Sequence, residues 1–326
     1  IGVWISGFFG SGKSHFLKIL SYLLSNQEVC GKRAIDYFAD KFDDPMMYAQ
    51  AVKSVSVPTQ SILFNIDIEG PLTKDKTAVL RVFAKMFYNH CGFYGDDLKI
   101  AKLERFIEKQ GKTQQFREAF EKVNGAPWTE TRDSFAFFED DIVSVLQSTL
   151  GMSEQAARNW FNGEETNELS IAQLVADIQE YVDGKGKDFR LLFMVDEVGQ
   201  YIGDDGDLMI NLQSLVEEIG IRCHGKVWVM VTSQEAIDSV VHITGNDFSK
   251  IQGRFNTRLS LSSSSVDEVI KKRVLAKTDA ADQLLRMVYG KEHAVLKNLY
   301  TFNNPVLDIK GFTDGAEFSV NADLKL

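Results

Sequence analysis

Cysteine is scarce in this chain, and long apolar runs are missing. Its 326 residues include 3 cysteines (Cys30, Cys91 and Cys223), which are widely spaced and odd in number. This set argues against a disulfide framework and indicates a reducing compartment, so we expect a cytoplasmic protein. His224 follows Cys223, but no second pair stands at metal-ligand spacing, and no zinc site is expected. No apolar segment approaches the ~18 residues that a membrane span requires.

Positive charge is also in deficit. The chain has 36 Lys and Arg against 46 Asp and Glu, which gives a formal net charge of −10. Non-specific nucleic-acid binding needs clustered cations to neutralise phosphates. This acidic segment is therefore not expected to clamp DNA, although a local basic face and DNA contacts made by partner proteins stay open.

The length predicts about two domains, or one domain enlarged by insertions. No signal peptide is visible, and the sequence opens at Ile1 within an apolar run rather than at a methionine. We therefore expect a piece of a longer protein.

A glycine-rich run near the amino end carries the clearest chemistry. It fits the pattern G-x-x-x-x-G-K-S/T, and its residues are Gly7, Phe8, Phe9, Gly10, Ser11, Gly12, Lys13 and Ser14. Residues 3–5 before it predict a buried strand, and the apolar spacing after it predicts a helix. Such a loop at a helix N-terminus favours a polyphosphate. We predict that Lys13 contacts the β- and γ-phosphates, that Ser14 ligates Mg²⁺, and that the loop and His15 bind the nucleotide.

An acidic pair after a second apolar run supplies the other half of this prediction. Residues 191–195 are all apolar and predict a central parallel strand, which Asp196 and Glu197 follow. We expect Asp196 to hold Mg²⁺ and Glu197 to deprotonate the attacking water. The alternative is a strand that simply ends in solvated acids. No N-K-x-D stretch is present to read guanine, so we favour ATP over GTP.

Two further polar positions are candidates for contact with the γ-phosphate. A third strand predicted at 226–231 ends at Thr232 and Ser233, either of which could bond the attacking water or the phosphate. The sequence does not choose between them, and hydroxyls also cap strand ends and helices. Arg254 is the first candidate to reach the γ-phosphate of a neighbouring molecule, and Arg258 is the second. The alternative for both is an arginine that solvates a rim or pairs with acids.

The remaining patterns predict the domain organisation. The fold class is α/β, with a P-loop NTPase core and central parallel sheet at 1–70 and 186–262, including a strand at 61–67 and a fifth strand near residue 259. A mainly helical insertion at 71–185 contains predicted helices at 76–88, 97–109, 113–122, 131–150, 153–161 and 170–181. Residues 263–326 predict a helical lid, with helices at 266–277 and 278–299, and the start of a following domain.

Aromatic residues recur through the insertion at spacings suited to helix packing. We interpret them as the core of an inserted bundle, with a partner-binding surface as the alternative. They are Phe83, Phe87, Phe106, Phe116, Phe120, Phe135, Phe137 and Phe138.

The order of these motifs resembles the additional-strand, catalytic-glutamate branch of P-loop ATPases and, within it, the AAA+ group. The step from Arg254 to Phe255 resembles the AAA+ arginine-finger position. Longer strings resemble the large P-loop ATPase of BREX phage-resistance systems (the BrxC/PglY type), from residue 1 to about residue 302. These strings are GFFGSGKSHFLK at 7–18, FNID at 64–67, MVDEVGQYI at 194–202 and TSQE at 232–235.

The resemblance implies a role in bacteriophage defence. It implies a cytoplasmic complex with methyltransferase and phosphatase-like partners, and proteins much longer than this chain. The leading hypothesis is an ATP-hydrolysing motor or switch that assembles with its own copies or with defence partners. Three alternatives remain: a nucleotide-gated scaffold with negligible turnover, a small-molecule kinase, and a DNA-loading ATPase. The kinase would need an acceptor pocket and a lid of closely spaced arginines. The sequence shows no winged-helix or basic-arm signal that would support DNA loading.

Overall fold

The structure is a computed structural model that describes residues 1–71, 73–162, 169–235, 253–261 and 276–303. The chain divides into two compact units, Ile1–Leu261 and Ser262–Leu326. Most of the helix predicted at 266–277 and most of the segment after residue 301 lie outside the described residues.

The described residues form both strands and helices, with a long series of helices between β4 and β5. In chain order they are β1 (Gly2–Ser6), α1 (Lys13–Ser25), β2 (Glu28–Val29), β3 (Lys32–Arg33), α2 (Pro45–Val55), β4 (Thr59–Asn65), α3 (Ile66–Glu69), α4 (Ala78–His90), α5 (Leu98–Lys109), α6 (Thr113–Asn124), α7 (Trp128–Thr131), α8 (Glu139–Leu150), α9 (Glu154–Asn162), α10 (Ile171–Gly184), β5 (Arg190–Asp196), α11 (Val198–Ile202), α12 (Gly206–Arg222), β6 (Val227–Ser233), β7 (Thr257–Ser260) and α13 (Asp279–Asn303). Short 3₁₀ helices lie at Ala34–Phe38 and Arg132–Phe137.

Five parallel strands form the central sheet, in the order β4-β5-β6-β1-β7. The strands predicted at 3–5, 191–195 and 226–231 are confirmed as β1, β5 and β6. All of β1 and nearly all of β5 and β6 are buried, because helices cover both faces of the sheet. The α/β class with a parallel central sheet is therefore confirmed.

Strand β6 lies between β1 and β5 and sets the distance between their ends. Neighbouring strands lie about 4.8 Å apart, so the ends of β1 and β5 are separated by about 10 Å. All five strands run in the same direction, and the loop after Ser6, the pair after Val195 and the end of β6 therefore meet at the carboxyl edge of the sheet. This is the edge where open α/β sheets bind ligands.

Two hydrophobic clusters cover the two faces of the sheet, and a third fills the helical insertion. Buried residues of α4, α10 and α12 pack with the sheet in the largest cluster. In a second cluster, Leu17 of α1 packs with Ile5 and Met194 of the sheet. The third cluster contains Phe116, Phe120 and residues of α5, α8 and α9. The six helices predicted in the insertion are present, apart from the start of one of them.

The aromatic residues of the insertion do not form one core. Phe83 and Phe87 pack with the sheet rather than with the third cluster. Phe106 and Phe137 are exposed, the latter by 86%. The prediction of a shared core is therefore wrong for these four residues, and it holds for Phe116 and Phe120 with Phe135 and Phe138 packed beside them.

Two predicted boundaries are also wrong. The single helix predicted at 131–150 is broken, because Phe138 has non-helical angles (φ −119°, ψ 26°) and three acids directly after it favour a new helix N-terminus there. The strand predicted at 61–67 ends at Asn65, and Ile66 and Asp67 belong to α3. The helix begins there because the side-chain oxygen of Asn65 caps its first turn.

The described residues of α13 confirm the helix predicted after residue 278. None of the described helices is long and apolar enough to cross a lipid bilayer.

Candidate functional site

The glycine loop joins β1 to α1 in the position that the sequence predicts. Gly10 and Gly12 have φ angles of 81° and 86°, a region that glycine adopts without steric cost. The Gly7 N–H donates to the Ser233 carbonyl oxygen at 3.2 Å, which ties the start of the loop to the end of β6. The loop therefore turns tightly at the carboxyl edge of the sheet.

Lys13 is the first residue of α1, and its ammonium group is folded into the loop. Its Nζ donates to the carbonyl oxygens of Gly7 at 2.6 Å and Phe8 at 3.0 Å. Burial lowers the pKa of Lys13, and the negative charges of Asp196 and Glu197 act in the opposite direction. The Gly7 N–H bonds the carbonyl oxygen of Ser233, and the neighbouring Thr232 bonds Asp196, so the structure brings the loop and the acidic pair to one edge of the sheet.

The loop has features that fit a bound phosphate. The Ser11 hydroxyl is buried and has no hydrogen-bond partner among the described residues. A buried polar group without a partner costs about 1–3 kcal/mol, and a phosphate oxygen would supply that partner. Ser14 and His15 are exposed in the first turn of α1, and Phe8 and Phe9 are exposed on the loop.

Thr232 connects the two acids. Its Oγ1 donates to Asp196 Oδ1 at 2.5 Å and accepts the Glu197 N–H at 2.9 Å. The side chain is completely buried, so one hydroxyl fixes both the carboxylate of Asp196 and the backbone of Glu197. Ser233, the other candidate, instead accepts the Glu235 N–H at 3.2 Å and lies against Gly199.

Glu197 has a backbone conformation that is unusual for its residue type. Its φ and ψ angles are 64° and 27°, in the left-handed region that favours glycine. This conformation costs about 1–2 kcal/mol for a residue with a Cβ. It places Glu197 between the end of β5 and the start of α11, with its side chain only partly buried.

Asn65 belongs to the site, although the sequence patterns predicted no role for it. Its Nδ2 donates to Glu197 Oε2 at 2.6 Å, while its Oδ1 accepts the N–H groups of Asp67 at 2.9 Å and Ile68 at 3.3 Å. The two backbone donors fix the amide so that its NH₂ group faces Glu197. The available signal was an asparagine at the end of an apolar run, where it can both cap a helix and face the neighbouring strand.

Arg254 and Arg258 lie away from this site. A Cβ on Gly2 would collide with the Arg254 carbonyl oxygen, which places Arg254 beside the first residue of β1. Gly2 and Gly7 are separated by about 16 Å along the strand. Arg258 pairs with Trp4 in the β1–β7 register, and its Nε donates to the Phe255 carbonyl oxygen at 3.3 Å.

Comparison with protein-family models and with solved structures adds no relative to this picture. No protein-family model matches the chain. No solved structure gives a significant match either.

The metal-binding capacity of the site is small. In the part of the chain that the structure describes, no group of three or more His, Cys, Asp and Glu side chains could hold a metal ion. Asp196 and the Ser14 hydroxyl would therefore have to share an ion with other oxygen donors. Mg²⁺ fits this requirement, since it is usually held by one or two protein ligands, water and substrate phosphates.

Proposed function

We propose that this chain is an ATP-hydrolysing module of the AAA+-like P-loop class. The observation that carries the proposal is the meeting of the Lys13 loop with the Asp196–Glu197 pair at one edge of a parallel sheet. The position of β6 between β1 and β5 supports the additional-strand branch of these ATPases. A kinase is less well supported, because the acidic pair next to the loop suits water as the acceptor.

We propose one role for each residue of the site. Lys13 would leave the loop carbonyls and bind the β- and γ-phosphates, and Ser14 with Asp196 would hold Mg²⁺. Glu197 would take a proton from water as the water oxygen attacks the γ-phosphorus. The bond from the γ-phosphorus to the bridging oxygen then breaks, and ADP and phosphate leave. Thr232 would hold both acids in position. Ser233 would contribute to the site only its carbonyl oxygen, which accepts the Gly7 N–H.

The distance of Arg254 from the site supports a role between molecules. A cation that stabilises the γ-phosphate can raise turnover about 10³- to 10⁵-fold. Arg254 could supply that cation only to a neighbouring copy. An isolated chain would then turn over slowly, which favours a nucleotide-dependent assembly switch as the second candidate.

The cellular role we propose is the one that the BREX resemblance implies. The module would drive or gate a cytoplasmic phage-defence complex through contacts with its own copies and with partner proteins. DNA would be reached through those partners, since the net charge of this segment is −10. A DNA-loading ATPase remains the alternative.

Nucleotide binding and hydrolysis by the purified chain test the proposal directly. We expect saturable ATP binding that GTP competes with more weakly, and phosphate release that stops when EDTA removes Mg²⁺. Isothermal titration calorimetry and a phosphate-release assay measure both. A chain that folds but binds no adenine nucleotide would show the proposal to be wrong.

Asn65→Ser separates the two contacts of Asn65. Serine can still cap α3, but it has no amide to orient the Glu197 carboxylate. Hydrogen bonds to charged groups contribute about 1.5–3 kcal/mol, so we expect kcat to fall by about tenfold or more with KM nearly unchanged. Steady-state kinetics over a range of ATP concentrations measure this split.

Asn89→Ser is the matched control for that variant. Asn89 bonds the Gly95 N–H in the insertion and contacts neither acid. Equal effects of the two substitutions on kcat would contradict the role of Asn65.

A further inference from the structure

Arg254 is held by an acid of its own chain at the amino edge of the sheet. Its guanidinium donates to a Glu217 side-chain oxygen in a short contact. The Arg254 and Glu217 side chains are 41% and 34% exposed, so the pair lies at the surface where another molecule can reach it.

The backbone beneath this pair is fixed. The Arg254 carbonyl oxygen lies 2.3 Å from the position that a Cβ on Gly2 would occupy, so this approach requires a glycine in β1. The next residue, Phe255, is fully buried and packs edge-to-face on Trp4 with ring centroids 5.4 Å apart. The guanidinium therefore moves by side-chain rotation rather than by displacement of the chain.

We propose that Glu217 is a latch for Arg254. In the separate chain its carboxylate neutralises the guanidinium, and on assembly the nucleotide phosphates of a second copy replace it. This inference rests on the proposed function, and it adds a residue that regulates when the arginine becomes available. Glu217 touches no reacting atom, so it acts as a positioning residue.

The chemistry of the exchange favours the phosphate. A guanidinium binds carboxylate and phosphate with the same fork of N–H donors, so the two anions compete for one geometry. An exposed ion pair is weak, and a phosphate of higher charge in a docked interface can displace it. The latch therefore shifts the assembly equilibrium without blocking it.

The test is the dependence of ATP hydrolysis on protein concentration. For the unmodified chain we expect specific activity to rise with concentration as copies meet. Glu217→Gln keeps the shape of the side chain but removes its charge, so half-maximal activation should occur at about two- to fivefold lower concentration. Arg254→Ala should abolish the rise, and Glu217→Gln should then have no further effect in the double variant.

Glu218→Gln provides a matched control. Glu218 is adjacent on α12 but pairs with Arg222 instead of Arg254. We expect this variant to activate at the same concentration as the unmodified chain. Thermal unfolding of all variants identifies a purely structural role for Glu217, which would lower the melting temperature and leave the activation concentration unchanged.

The outcomes separate this inference from the proposed function. If ATP is bound and hydrolysed but Glu217→Gln and Glu218→Gln behave alike, the latch is refuted and the ATPase stands. Specific activity that does not depend on concentration would also refute the latch alone. Absence of ATP binding would remove both.

Discussion

Replacing Glu197 with glutamine is expected to lower the rate of ATP hydrolysis by about 10²- to 10⁴-fold while ATP still binds. Glutamine has nearly the same shape and can still accept the Asn65 amide through its own oxygen. It cannot take a proton from water at neutral pH. Single-turnover phosphate release measures the rate, and calorimetric titration with ATP measures the affinity.

The same substitution at a nearby acid provides the comparison. Glu69 lies at the end of α3 and pairs with Lys85 at 2.8 Å rather than with the site. Glu69→Gln should leave the hydrolysis rate unchanged. A Glu197→Gln chain that hydrolyses ATP at the original rate would transfer the role of base to another group.

The second large effect is expected from Lys13→Ala. Each hydrogen bond to a charged group contributes about 1.5–3 kcal/mol, so loss of the ammonium should weaken ATP binding by about 10- to 100-fold or more. The loop should still fold, because Gly10 and Gly12 set its turn without Lys13. Equilibrium binding of a fluorescent ATP analogue measures the loss.

Lys18→Ala is the control for charge alone. Lys18 is exposed on α1, one turn beyond Ser14, and lacks the buried position of Lys13. Lys18→Ala should change the affinity for ATP only by the small amount expected from the loss of one exposed charge. Equal losses for the two lysines would show that the loop does not cradle the nucleotide.

Local sequence patterns predicted the parts of the site that depend on one segment of chain. The glycine spacing predicts the turn before Lys13, and the apolar run before Asp196 predicts a buried strand. Strand order is not a local property. Thr232 and Ser233 face opposite sides of the sheet, because successive side chains of a strand alternate. Which of them contacts Asp196 therefore depends on how β6 lies beside β5, and strand order decides this.

Asn65 was missed for a related reason. Its contact with Glu197 spans 132 positions and exists only because β4 pairs with β5. The break before Glu139 and the exposure of Phe137 reflect tertiary packing that helical spacing does not encode. The position of Arg254 at the amino edge of the sheet likewise follows from the pairing of β7 with β1.

The left-handed backbone of Glu197 has a consequence for engineering this chain. Glycine at that position would relieve the unfavourable conformation, so selection for heat resistance alone would reward the loss of the carboxylate. Under the proposed role of Glu197 as the base, a directed-evolution campaign on this scaffold therefore needs a simultaneous screen for ATP hydrolysis.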